Sequence, residues 1–164
     1  MLNESPQKIT VGDRAGAEIL PHGGKNPQPP RALVIDDEPL LRWSVAATLE
    51  EQGWQVTEAA DVESAMAAFS EVAAAAGIVF LDPGWPDADG LQVLSDLHRL
   101  SPSTPIILMT AYGTPELVDL ARRLGAFAVI DKPFDVGDLV PLVERASRHA
   151  GASQDCRPTG TTRR

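Results

Sequence analysis

The chain has 164 residues, 43% hydrophobic and 23% charged, with a formal net charge of −9, which fits one globular domain with polar flanks. Residues 31 to 149 carry 8 Lys and Arg against 19 Asp and Glu, a balance of −11, so nucleic acid is a poor partner for that segment, since phosphate contacts need a basic surface. No apolar run is long enough for a membrane span, the start Met1-Leu2-Asn3-Glu4-Ser5 lacks a secretory leader's pattern, and the single cysteine, Cys156, has no partner for an internal disulfide; a cytoplasmic, reducing setting is the expectation.

Residues 1 to 30 are rich in Pro, Gly, Asn and charge and close on Pro27-Gln28-Pro29-Pro30. Such a segment buries too little apolar surface to offset the entropy of ordering it, so it reads as a disordered lead. His22 within it has no metal-ligand neighbours. From residue 31 the pattern changes. Ala32-Leu33-Val34-Ile35 is an apolar strand ending in Asp36-Asp37-Glu38-Pro39, and Leu41, Val45 and Leu49 then follow helical spacing until Gly53. Trp54 to Glu58 alternates like a strand with one covered face. Asp61 caps a helix through Met66 and Phe69 into alanines 73 to 76, closed by Gly77.

Ile78-Val79-Phe80-Leu81 is short and wholly apolar, which suits a strand buried on both faces. It ends abruptly in Asp82 and the loop Pro83-Gly84-Trp85-Pro86. A helix from Gly90 to Leu100 precedes a fourth strand, Ile106 to Met109, which ends at Thr110-Ala111. Pro115 opens a helix that stops at Gly125. A fifth strand, Ala126 to Ile130, ends at Asp131-Lys132-Pro133, and a last helix from about Asp135 carries Leu139, Leu142, Val143 and Ala146. Pro141 bends the first turns of that helix or delays its start. Residues 150 to 164 read as a polar, disordered tail. Five strands alternating with five helices predict an α/β domain over residues 31 to 149, with a parallel sheet covered by helices on both faces.

In such a sheet the carboxyl ends of the strands share one edge, where open α/β sheets hold their sites. The residues at those ends are Asp36 and Asp37, Asp82, Thr110 and Lys132. Each alone has a plainer explanation. Asp36 and Asp37 could be helix-start acids, Asp82 a turn former, Thr110 an ordinary strand residue and Lys132 a solvated turn lysine. Their convergence at four strand ends is a different matter. Three close carboxylates repel one another, a hard divalent cation such as Mg²⁺ relieves that repulsion, and Lys132 and Thr110 add a cation and a neutral donor. The set suits a phosphoryl group moving onto or off a carboxylate, catalysed by position and charge neutralisation.

From Arg31 to His149 the sequence resembles the receiver domain of two-component response regulators. The motifs that carry the resemblance are Val34-Ile35-Asp36-Asp37-Glu38-Pro39, Leu81-Asp82 followed by Pro86 and Gly90, Met109-Thr110-Ala111, and Lys132-Pro133-Phe134. The resemblance implies a flavodoxin-like (βα)5 fold of strand order 2-1-3-4-5. It implies that Asp82 accepts a phosphoryl group from a sensor histidine kinase or a histidine phosphotransfer protein. Asp36, Asp37, Asp82 and the carbonyl of Gly84 would hold Mg²⁺, Lys132 would pair with the phosphoryl oxygens, and the Thr110 hydroxyl, next to Ala111, would swing toward them. Output would pass by protein–protein contact to a downstream target, with no direct nucleic acid or membrane binding and no second domain after residue 149.

Three positions depart from the family pattern. Pro83 follows the acceptor where the family carries an apolar residue with a free N–H, and Gly84 loosens the same loop; both would weaken Mg²⁺ binding and leave open a receiver that phosphorylates poorly, or a pseudo-receiver that binds a partner without phosphorylation. Val129, three residues before Lys132, removes the aromatic ring that often turns inward in the family. Gly84 and Tyr112 occupy the positions that tune hydrolysis of the phosphoaspartate. A bulky ring at one, to shield the acyl phosphate, and no polar group at the other, to orient a water, predict slow self-dephosphorylation. An enzyme reading, a Mg²⁺-dependent aspartyl phosphohydrolase, lacks the second acid two residues after the nucleophile, where Gly84 stands; the sequence is not expected to encode an enzyme.

Overall fold

The computed structural model describes residues 28–75, 77–84 and 89–154. The expected lead up to residue 27, His22, Cys156, loop residues Trp85 and Pro86 and the tail beyond 154 lie outside the described residues.

The elements are β1 (Arg31–Ile35), α1 (Pro39–Glu51), β2 (Gln55–Ala59), α2 (Val62–Ala74), β3 (Ile78–Leu81), α3 (Gly90–Leu100), β4 (Ile106–Thr110), α4 (Pro115–Arg123), β5 (Ala128–Asp131) and α5 (Leu139–Gln154). The strands form one parallel sheet in the order β2-β1-β3-β4-β5. The doubly wound architecture and its strand order are those the sequence implies.

Successive strand residues face opposite sides, and this alternation builds two cores. Leu33, Ile35, Val79, Leu81, Ile106 and Leu108 pack with α2, α3 and α4. Ala32, Val34, Ile78, Phe80, Ile107 and Met109 pack with α1 and α5. β1, β3 and β4 are therefore apolar at nearly every position, because both of their faces are covered.

Local chemistry sets the helix ends. Pro39 and Pro115 stand at first helical positions, where a missing N–H leaves no bond unmade. Asp61 accepts from Ser64 N at 2.8 Å, Asp89 from Leu91 N at 3.0 Å, and Thr114 from Leu117 N at 3.3 Å, each satisfying an orphan donor. The last helix starts late, one of the two effects expected of Pro141, and differs from the expectation at its far end. A 3-10 turn over Val136–Asp138, capped by Asp135, comes first, and α5 starts at Leu139. Proline cannot donate from a second turn, so the helix begins late enough to hold Pro141 in its first. It then runs to Gln154, over the first five residues assigned to a tail from 150. Ala150 is buried, so the apolar face continues one turn beyond Ala146.

Candidate functional site

Parallel pairing brings the ends of β1, β3, β4 and β5 to one rim. The Asp82 N–H donates to the Ile35 carbonyl at 2.9 Å, and the Lys132 N–H to the Thr110 carbonyl at 2.7 Å, so the ladder continues one residue past each strand. Asp36, Asp37 and Asp82 gather there, each offering a carboxylate oxygen, and these oxygens lie within 4.8 Å of one another. Asp36 is completely buried and Asp82 nearly so, whereas Asp37 is exposed.

Lys132 binds the nest together. Its Nζ donates to Asp36 Oδ2 and to Asp82 Oδ2, both at 2.8 Å. Burial pulls the lysine pKa down, but the hydrogen bonds and charges of Asp36 and Asp82 outweigh it, so the ammonium is held above the usual lysine value. The second oxygens are bound by backbone: Glu38 N–H donates to Asp36 Oδ1 and Gly84 N–H to Asp82 Oδ1, each at 2.8 Å. Asp36 and Asp37 lie outside the first turn of α1, which holds no acid, so they are not helix-start acids. Thr110 is buried, and its Oγ1 accepts from Tyr112 N at 3.2 Å. Ala111 is exposed beside it.

One expectation looks different in three dimensions. The Tyr112 ring is 82% exposed, so it does not shield Asp82 in this state. Val129 is half-buried against the α2–α3–α4 core, an ordinary packing role. Sequence reasoning missed Arg42 on α1, which donates from Nη1 to the Asp36 carbonyl at 2.6 Å and from Nε to Glu58 on β2 at 3.1 Å. Gly90, read from the sequence as a helix start and a motif residue, has a Cα that faces the Pro83 backbone so closely that no Cβ fits between them. The Arg42 contacts run through space and have no signature in spacing.

The donor set suits a hard divalent cation: three carboxylates, one of them exposed and without a hydrogen-bond partner among the described residues, with an ammonium opposite. Fold and site together define a doubly wound α/β protein with an acidic nest at the carboxyl rim of its sheet. Comparison with known proteins makes this specific. Residues 32–144 match the model of the response regulator receiver domain. The chain is 35% identical over 123 residues to the transcriptional regulatory protein PdtaR of Mycobacterium tuberculosis, covering 72% of this chain and 57% of that protein. It is 35% identical over 117 residues to the nitrogen assimilation regulatory protein NtrX of Azorhizobium caulinodans, covering 70% of this chain and 25% of that one. A CheY-like response regulator receiver domain protein from Methanospirillum hungatei superposes with a TM-score of 0.69 at 25% identity, covering 77% of this chain and 99% of that one.

The chain belongs to the response regulator receiver domain family of two-component signalling. It spans little more than half of PdtaR and a quarter of NtrX. Among the described residues, no helix is long and apolar enough to cross a membrane.

Proposed function

We propose that Asp82 is the phospho-acceptor of this receiver. A carboxylate oxygen of Asp82 attacks the phosphorus of a phosphohistidine on a sensor histidine kinase or a histidine phosphotransfer protein, and the histidine nitrogen leaves with its electron pair. The observation that carries this reading is the single ammonium of Lys132 shared by Asp36 and Asp82. It sits where the transferred group's negative charge develops. Asp36, Asp37, Asp82 and the Gly84 carbonyl are the residues to hold Mg²⁺, which when bound supplies neutralisation of phosphoryl charge. Lys132 and Thr110 then hold the phosphoryl oxygens at the rim, with Ala111 small enough to leave them room.

Output goes by protein–protein contact through the face of α4, β5 and α5, where Arg122, Phe127, Val129, Ile130, Leu142 and Arg145 line a shallow groove. The domain's own acidity argues against direct contact with nucleic acid. A cytoplasmic setting, with the domain signalling and not turning over a substrate, completes the reading.

The test is incubation with Mg²⁺ and acetyl phosphate, followed by mass spectrometry. One phosphoryl group on Asp82, absent from Asp82→Asn, is the expected result; labelling that persists in Asp82→Asn means the acceptor is misassigned. Pro83 favours a second reading, a receiver that binds a partner without phosphorylation, because it removes a backbone donor beside the acceptor. Mg²⁺ binding with no label on the wild-type protein would decide for it.

The label is expected to be long-lived. Gly84 presents no side chain to orient an attacking water, a kind of assistance worth about a hundredfold or more in rate. Because the Tyr112 ring stands in solvent, Tyr112→Ala is expected to leave the lifetime of the label within about twofold of wild type. A much shorter lifetime in that variant would show that the ring folds over the acceptor once it is phosphorylated.

A further inference from the structure

We infer that Arg42, held by Glu58, is a positioning residue for the metal acid Asp37; the inference rests on the receiver reading above. Asp36 is fixed at every polar group. Its N–H donates to the Ala59 carbonyl at 3.1 Å, its carboxylate accepts from Glu38 N–H and Lys132, and its carbonyl accepts from Arg42 at 2.6 Å. Asp37 has none of this support. Among the described residues its carboxylate has no hydrogen-bond partner, and it is exposed. What aims it at the nest is its backbone alone.

The peptide that joins Asp36 to Asp37 is the one whose carbonyl Arg42 grips. With that plane pinned by Arg42, and the next peptide held by the Glu38 N–H on Asp36 Oδ1, the direction of the Asp37 Cα–Cβ bond is set. Arg42 is in turn tied from two sides. Its own N–H donates to the carbonyl of Glu38, the residue that caps α1, at 3.0 Å, and Glu58, the penultimate residue of β2, takes its Nε. The planar guanidinium makes both side-chain bonds at once, which an ammonium on a flexible stem does less well. The Glu58 carboxylate is 42% exposed, and an ion pair that open contributes little to stability. Its use is geometric: it turns the guanidinium so that Nη1 faces the Asp36 carbonyl.

The sign of the effect separates this role from simple electrostatics. Arg42 is a cation near a cation site, so by Coulomb's law alone its removal tightens Mg²⁺ binding. A positioning role predicts the opposite, because one ligand of the set loses its aim.

The experiment is calorimetric titration of the full chain with Mg²⁺ alone, joined to labelling by acetyl phosphate across a Mg²⁺ series. Arg42→Ala is expected to weaken Mg²⁺ binding about tenfold, the range seen when supports of metal ligands are removed. The labelling rate at saturating Mg²⁺ should stay within about twofold of wild type, because Asp82 and Lys132 are untouched. Glu58→Ala should weaken binding in the same direction, and Arg42→Ala with Glu58→Ala together should be no weaker than Arg42→Ala alone, since the two act through one contact. An Arg42→Ala protein that binds Mg²⁺ as tightly as wild type, or more tightly, overturns this inference and leaves the receiver reading standing. A wild-type protein that takes up neither Mg²⁺ nor label overturns that reading instead.

Discussion

Replacing Lys132 by methionine is expected to destabilise the protein by about 3 kcal/mol at neutral pH without divalent cation, because it strands two buried carboxylates beside each other. Methionine keeps most of the aliphatic stem, so lost packing is a small part of the change. The partners are Asp36, 0% exposed, and Asp82, 12% exposed by side chain, against a lysine at 16%. Water therefore screens little of the repulsion that remains. The pH dependence follows from the raised lysine pKa. A group whose folded pKa lies above its unfolded value contributes fully below the unfolded value and loses that contribution as pH climbs through the folded one. The deficit of Lys132→Met is thus flat through neutral pH and shrinks in strong alkali, as the wild-type lysine loses its own proton. Urea unfolding at fixed ionic strength checks this, and a difference below about 1 kcal/mol would show that the pair is no better than a surface ion pair.

Mg²⁺ should narrow the gap. Removing the ammonium leaves the nest more negative, so the variant gains more from the cation than wild type does. The two cations beside the nest therefore have opposite expected effects on Mg²⁺ affinity. Lys132 competes with the metal for carboxylate oxygens, and its loss tightens binding. Arg42 touches no carboxylate of the nest, only a carbonyl behind it, and its loss weakens binding.

These distinctions mark what the sequence could and could not carry. β1, β3 and β4 were legible because burial on both faces writes itself as unbroken apolar runs. Asp36, Asp37, Asp82, Thr110 and Lys132 were legible because a parallel sheet brings every strand's carboxyl end to one rim, so chain position becomes spatial position. The rest depends on contacts between elements. Nothing in the spacing of Arg42 and Glu58 announces that an α1 side chain crosses to the end of β2. Tyr112 looked like a shield because position in the chain says which residue is near the acceptor, but not which way its ring turns. The start of α5 was blurred because Asp135 is a good cap and the proline six residues later argues against a helix there; a 3-10 turn satisfies both.

Gly90→Ala is expected to reduce stability by about 2 kcal/mol, a typical cost of overpacking, and to slow labelling of Asp82 by about tenfold or more. Gly90 opens α3 and is buried against the acceptor loop. A Cβ there would overlap the Cα, carbonyl carbon and carbonyl oxygen of Pro83. Those are backbone atoms, and the proline ring removes the φ freedom with which the loop could yield. The strain must move either the start of α3 or the residue directly after Asp82. A shift of the second kind carries the carboxylate away from Lys132 and from the Gly84 N–H that hold its two oxygens. Gly113→Ala is the informative contrast. The added Cβ there would also collide, but with the carboxylate of Asp131, the free end of an exposed side chain that can rotate away. That variant should lose less than about 1 kcal/mol and label at close to the wild-type rate. If Gly90→Ala labels as fast as Gly113→Ala, the loop after Asp82 is not braced by α3, and Asp82 is held in place by Lys132, the Gly84 N–H and the sheet without it.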